Sequence, residues 1–146
     1  MMDRPNEKGF TLIEIMVVVI IIGILASFVA VKLTGRAEEA RRTEARVQIG
    51  SFETGLSLYK LDNGSYPSTE QGLNALVEAP TVGTLPRKWH EGGYLEKGKV
   101  PLDPWGNAYI YVSPGLNGDF DISSYGDDGA QGGDGKDADI NSWELE

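Results

Sequence analysis

Cysteine is absent from this chain and histidine occurs once. The first absence excludes a disulfide framework, a thiolate metal site, a cysteine nucleophile and a lipid-modified cysteine anchor. It leaves the compartment open, since proteins outside the cytoplasm can do without disulfides. Positive charge is also scarce. Thirteen Lys and Arg (13) stand against 22 Asp and Glu, a net charge of -9, so a general affinity for nucleic-acid phosphates is disfavoured and no nucleic-acid partner is expected. The motifs of catalysis are missing too: His90 stands alone, with no Gly-x-Ser-x-Gly, phosphate loop or HExxH anywhere. No catalytic residue is assigned, and the chain is not read as an enzyme.

What the chain does have is a long apolar run, "KGFTLIEIMVVVIIIGILASFVAVK", with one carboxylate, Glu14, near its front edge. Residues 10–31, as a helix, suffice to cross a hydrocarbon core of ~30 Å. A secretory signal peptide has a shorter apolar core of ~7 to 15 residues and a small-residue cleavage site. Ala26-Ser27-Phe28 is a poor site of that kind. A plain single-pass anchor must explain Glu14, because an acid at a helix centre costs ~2.5 to 3.5 kcal/mol on insertion scales. Near the end the cost is smaller, yet the acid still needs a partner. Arg4 and Lys8 precede the run while Lys32, Arg36, Arg41, Arg42 and Arg46 follow it, so a count of positives alone puts the C-terminal part in the cytoplasm.

Helical pattern continues past the run. Ala45, Ile49, Phe52, Leu56 and Tyr59 form one seam, with Glu38, Arg42, Arg46 and Lys60 on other faces, which predicts an amphipathic helix. Asn63-Gly64 stops it and Pro67 prevents resumption. Taken from Phe10 to Asp62, one continuous helix is roughly 80 Å long at ~1.5 Å per residue. Ser68-Thr69-Glu70-Gln71 offers a capping box for a second helix over 69–78. A loop with Gly92-Gly93 and Pro80, Pro86 and Pro101 follows. Residues 108–112 and 119–124 read as strands joined by a hairpin at 114–118, giving a small α+β head whose sheet packs on the helix. Trp89, Trp105 and Trp143 read as packing residues, and Asp103-Pro104-Trp105-Gly106 as a turn.

The tail carries Asp128, Asp134, Asp137 and Asp139 among glycines. Two readings stand side by side: a solvated, disordered end, or a calcium loop in which carboxylates and turn carbonyls supply oxygen ligands. Asp137-Ala138-Asp139-Ile140-Asn141 starts like an EF-hand, but Ser142 stands where the glycine belongs. "GGDGKD" is a single repeat of a solenoid pattern that needs ~3 copies.

"KGFTLIEIMVV", with Gly9-Phe10 behind a short charged leader and an acid four residues on, resembles the cleavage and methylation signal of type IV prepilins and type II secretion pseudopilins. "YKLDNGSYPSTEQGLNALVEAP", "GGYLEKGKVPLDPWGNAYIYVSPG" and "DFDISSYGDDG" resemble the head of the major pseudopilins of type II secretion. Type IVa pilins usually close a C-terminal loop with a disulfide, so the missing cysteine favours the pseudopilins. The resemblance implies an α+β, type IV pilin-like fold. It implies a leader, residues 1–9, removed by a prepilin peptidase after Gly9, with N-methylation of Phe10. Residues 10–31 become the transmembrane and assembly helix and 32–146 the periplasmic head, anchored by a single pass in a bacterial inner membrane. The implied partners are further copies of the chain in a helical polymer, minor pseudopilins, the peptidase and an inner-membrane assembly platform.

The resemblance further implies one Ca2+, held by Asp128, Asp137 and Asp139 with the carbonyls of Tyr125 and Gly133. It reverses the orientation given by the flanking positives. Val31 occupies a position where the family often has proline, and Asp3, Arg4, Glu7 and Lys8 cancel within the leader. Cleavage creates an ammonium at Phe10, and Glu14 one turn on complements the helix dipole. Glu14 pairs with that amine in its own helix or, in a polymer, with the amine of a neighbouring subunit, where burial makes an unpaired charge expensive and pairing sets the axial step. The alternatives are a type IV pilin of a surface fibre and a membrane-anchored calcium-binding protein with an unprocessed anchor.

Overall fold

The structure, a computed structural model, describes residues 9–145 apart from the side chains of 28–34. The expected leader lies outside the described residues except for Gly9. Helix α1 (Leu12–Asn63) is followed by a 3-10 helix (Leu73–Leu76), strands β1 (Ile110–Val112) and β2 (Asp121–Ser124), a 3-10 turn (Gly135–Asp137), strand β3 (Ile140–Asn141) and a last 3-10 turn (Ser142–Glu144). The chain divides into two compact units, Met1–Ala37 and Glu38–Glu146.

In the first unit every side chain of residues 10–27 is exposed. Leu12 is 80% exposed and Ile20 58%, so the apolar side chains of this stretch have no protein core to enter. The expected span over 10–31 runs into residues 28–34, whose side chains lie outside the described set. Among the described residues no helix is long and apolar enough to cross a membrane.

The second unit is built on the predicted seam. Ala45, Ile49, Phe52, Leu56 and Tyr59 are all buried and join Leu73, Leu76, Leu95, Tyr109, Tyr111, Ile122 and Ile140 in one core. Gly64 ends the helix as expected, with φ 83° and its N–H donating to Lys60 O at 2.7 Å. The expected second helix over 69–78 is corrected. Its capping box forms, Ser68 N donating to Gln71 Oε1 at 2.9 Å and Gln71 N to Ser68 Oγ at 3.3 Å. The next residue, Gly72, sits at φ 62°, ψ -171°, which an α-helix cannot propagate, and a single 3-10 turn follows.

The sheet is antiparallel in the order β1-β2-β3. Tyr111 faces Ile122 across the predicted hairpin, and Tyr111, Ile122 and Ile140 share the buried core with the α1 seam, so the sheet does pack on α1; the ring of Tyr109, just before β1, meets that of Phe52 edge-on at 5.0 Å. Both strands are shorter than predicted. β3, which no alternation in the sequence announces, pairs Ser123 with Asn141 and Ser124 with Ile140. All four residues of β2, Asp121, Ile122, Ser123 and Ser124, are buried, so the strand shows no inside-outside alternation. Polar groups survive there because each finds partners, Asp121 accepting from the N–H groups of Leu116 and Asn117.

Candidate functional site

The helix start and the acidic loop lie in different units. At the start, Thr11 is the N-cap of α1. Its hydroxyl accepts from Glu14 N at 3.3 Å, and its own N–H donates to Glu14 Oε2 at 3.4 Å. This reciprocal capping box places the Glu14 carboxylate over the N-terminal end of the helix, where the macrodipole favours negative charge. Glu14 was legible from the sequence as the lone acid. Thr11 was not singled out, although Thr-x-x-Glu ahead of an apolar run is the signal for such a box. Phe10 is 79% exposed, and a Cβ added at Gly9 would meet nothing within 4 Å.

The acidic loop runs between β2 and β3. Its entry is fastened by Asn107 Nδ2, which donates to Gly126 O at 3.0 Å, and by Ser124 Oγ, which donates to Asp103 Oδ2 at 2.7 Å. At its exit Arg42, from α1, donates to Ala138 O at 2.8 Å and to Gly135 O at 3.3 Å. Gly133 lies at φ 85° with room for no side chain, since a Cβ would sit 2.6 Å from Asp137 O.

Five carboxylates share this loop in three environments. Asp128 Oδ1 accepts from Ala130 N at 3.0 Å, a local turn bond, and Asp134 is exposed. Asp139 Oδ2 accepts from Gly132 N at 2.9 Å, while its Oδ1 is shielded from solvent with no hydrogen-bond donor. Asp127 and Asp137 flank the ammonium of Lys136, which donates to Asp127 Oδ2 at 2.6 Å and to Asp137 Oδ1 at 3.0 Å. Hydrogen bonding to Lys136 holds the Asp127 carboxyl below its ordinary range. The ammonium is held above its own by the bond to Asp127 and then that to Asp137.

The expected ligands Asp128, Asp137 and Asp139 thus lie in one loop, with Tyr125 half-buried at its head and Gly133 exposed within it. They do not converge: among the described residues no three acidic or histidine side chains gather to hold a metal ion. Asp127, Lys136 and Arg42 were missed by the sequence reading. The available signal was Lys136, the one cation in an acidic tail.

A sequence profile described as type II secretion system (T2SS), protein G matches residues 32–143, and one described as a prokaryotic N-terminal methylation motif matches residues 4–30. The type II secretion system core protein G of Pseudomonas aeruginosa is 50% identical over 98% of this chain and 99% of its own length. The chain belongs to the protein G family. The core protein G of Vibrio cholerae is likewise 50% identical, over 100% of this chain and 98% of its own. In fold, this protein G relative matches the crystal structure of the major pseudopilin from the type 2 secretion system of enterohaemorrhagic Escherichia coli, at TM-score 0.66 and 41% identity over 77% of this chain and 94% of that one. The long N-terminal helix and antiparallel sheet are therefore those of the type IV pilin-like α+β fold. The methylation motif spans the Gly9-Phe10 junction, Thr11 and Glu14.

Proposed function

We propose that this chain is the structural subunit that polymerises into the pseudopilus of a type II secretion system, the fibre that helps move folded proteins through the outer membrane. The observation that carries this is end-to-end similarity: the core G proteins match over 98 to 100% of this chain, helix start and head together. In this reading the leader, residues 1–9, is cut after Gly9 and the new Phe10 amine is methylated. Residues 10–31 store the subunit in the inner membrane with the head, residues 32–146, in the periplasm. The exposed apolar side chains of residues 10–27 support that storage, because lipid or neighbouring helices would cover them. Glu14, one turn from the amine, is the group that would meet a neighbour's Phe10 as the fibre grows.

The same reading gives the acidic loop one Ca2+. The shielded Asp139 Oδ1 supports it, since an acceptor without a donor is what a hard cation satisfies. Asp128, Asp137 and Asp139, with the carbonyls of Tyr125 and Gly133, would hold the ion. When bound, it supplies positive charge that gathers carboxylates which otherwise repel, coupling binding to the ordering of the loop.

The test is complementation of a bacterium lacking its own protein G. The wild-type chain is expected to restore secretion and to yield an N-terminal peptide beginning at N-methylated Phe10. Gly9→Val leaves the chain's own fold alone, since its Cβ meets nothing within 4 Å, but obstructs close approach of a peptidase backbone. It should accumulate uncut in the membrane without secretion. Normal removal of residues 1–9 in that variant refutes the cleavage site; processed wild-type protein that restores no secretion refutes the subunit.

A further inference from the structure

We infer that Lys136 is a built-in counter-ion of the acidic loop, joining Asp127 to Asp137 in the metal-free chain and competing with calcium for Asp137. The competition rests on the calcium reading; the bridge does not. Asp127 stands at the entry of the loop and Asp137 at its exit, and the backbone brings the two together, Asp127 N donating to Lys136 O at 3.4 Å. The ammonium then closes the pair at 2.6 Å and 3.0 Å. Arg42, a second cation at the loop, donates to carbonyls. Among the described residues, Lys136 is therefore the cation that hydrogen-bonds the loop's carboxylates.

Five carboxylates confined to one glycine-rich loop repel one another, and one internal ammonium relieves two of them. The side chains remain partly exposed, at 59% for Lys136, 40% for Asp127 and 34% for Asp137, so solvent screens each contact and neither acts as a rigid clamp. That weakness is what allows exchange. Calcium takes carboxylate oxygens at ~2.3 to 2.6 Å, and an ammonium on the same carboxylate would face the ion's charge at close range. Asp127 is not among the expected ligands. Lys136 can leave Asp137 and keep Asp127, a swing that frees a ligand without stranding a charge.

The experiment uses the full-length chain in detergent micelles, as wild type, Lys136→Met and Lys136→Arg, with calcium titrated calorimetrically and thermal unfolding followed in chelator. In chelator, Lys136→Met should melt about 1 to 3 °C lower, the size of shift expected from losing weak surface pairs in a small domain. Its calcium Kd should be about two- to ten-fold tighter, because the competitor is gone. Lys136→Arg keeps the charge and should stay close to wild type in both. A Lys136→Met chain with wild-type melting in chelator overturns the counter-ion; a lower melting point with unchanged Kd overturns the competition. If neither wild type nor variant binds calcium, the calcium reading fails and the competition with it, while the chelator arm still decides the bridge.

Discussion

Asp103 is 4% exposed, and its charge is met by hydrogen-bond donors. Asn107 N at 2.7 Å and Trp105 N at 3.1 Å donate to Oδ1, and Ser124 Oγ at 2.7 Å to Oδ2. One carboxylate thus closes its own turn and pins the end of β2 at the mouth of the acidic loop. Asp103→Ala strands one buried and two part-buried donors at once, which should cost about 2 to 4 kcal/mol. Urea unfolding is expected to show a lower midpoint with an unchanged slope. A change below about 0.5 kcal/mol, the range of ordinary surface substitutions, would remove Asp103 from this role. The turn itself was legible from Asp-Pro-Trp-Gly, because proline and glycine restrict φ locally. The bond to Ser124 was not, because a partner 21 positions away leaves no local trace.

At the scale of elements, Gly92 and Gly93 read alike in sequence, as one loop signal, and the structure separates them. Both have positive φ, 100° and 78°. A Cβ at Gly92 would meet nothing within 4 Å, whereas at Gly93 it would lie 2.6 Å from Leu76 O, the carbonyl that accepts from Tyr94 N at 2.6 Å. Gly93 is where the loop docks on the 3-10 helix. Gly92→Ala should cost about 1 to 2 kcal/mol, for the left-handed backbone alone. Gly93→Ala adds overpacking of about 1 to 3 kcal/mol to the same strain. The unfolding free energies of the two variants should therefore differ, with Gly93→Ala the less stable; equal values would show that the contact with Leu76 relaxes freely. The seam of α1 was readable because helical period is a property of the segment itself. The 3-10 turn was not, because the α-helix it displaced fails only at the backbone angle of Gly72.

For the molecule as a whole, the sheet and α1 share buried tyrosines, and these set an alkaline limit. Burial pushes the Tyr111 hydroxyl up to about 12, and Tyr109 is raised further, by burial first and then by the charges of Asp103 and Glu44. The ordinary tyrosine value is 10.0. Below it, both folded and unfolded chains keep the protons and pH has no leverage through these groups. Above it, the unfolded chain releases protons that the folded chain retains, so stability falls as pH rises from about 10 toward 12. Urea midpoints should be level between pH 8 and 9 through these groups and decline from about pH 10. A level profile to pH 12 would mean that the hydroxyls ionise without leaving their sites.

By itself the sequence determined the apolar run with its lone acid, the Gly-Phe junction, the buried seam, the stop at Asn63-Gly64 and the hairpin, since each is written in a repeat or in adjacent residues. Only the tertiary structure decided β3, the Ser124–Asp103 and Arg42–Ala138 bonds, and the seating of Lys136 between Asp127 and Asp137. A two-residue strand has no period to read. The others depend on which distant segments the folded backbone brings within hydrogen-bond reach, a matter of chain geometry that neighbouring residues do not encode.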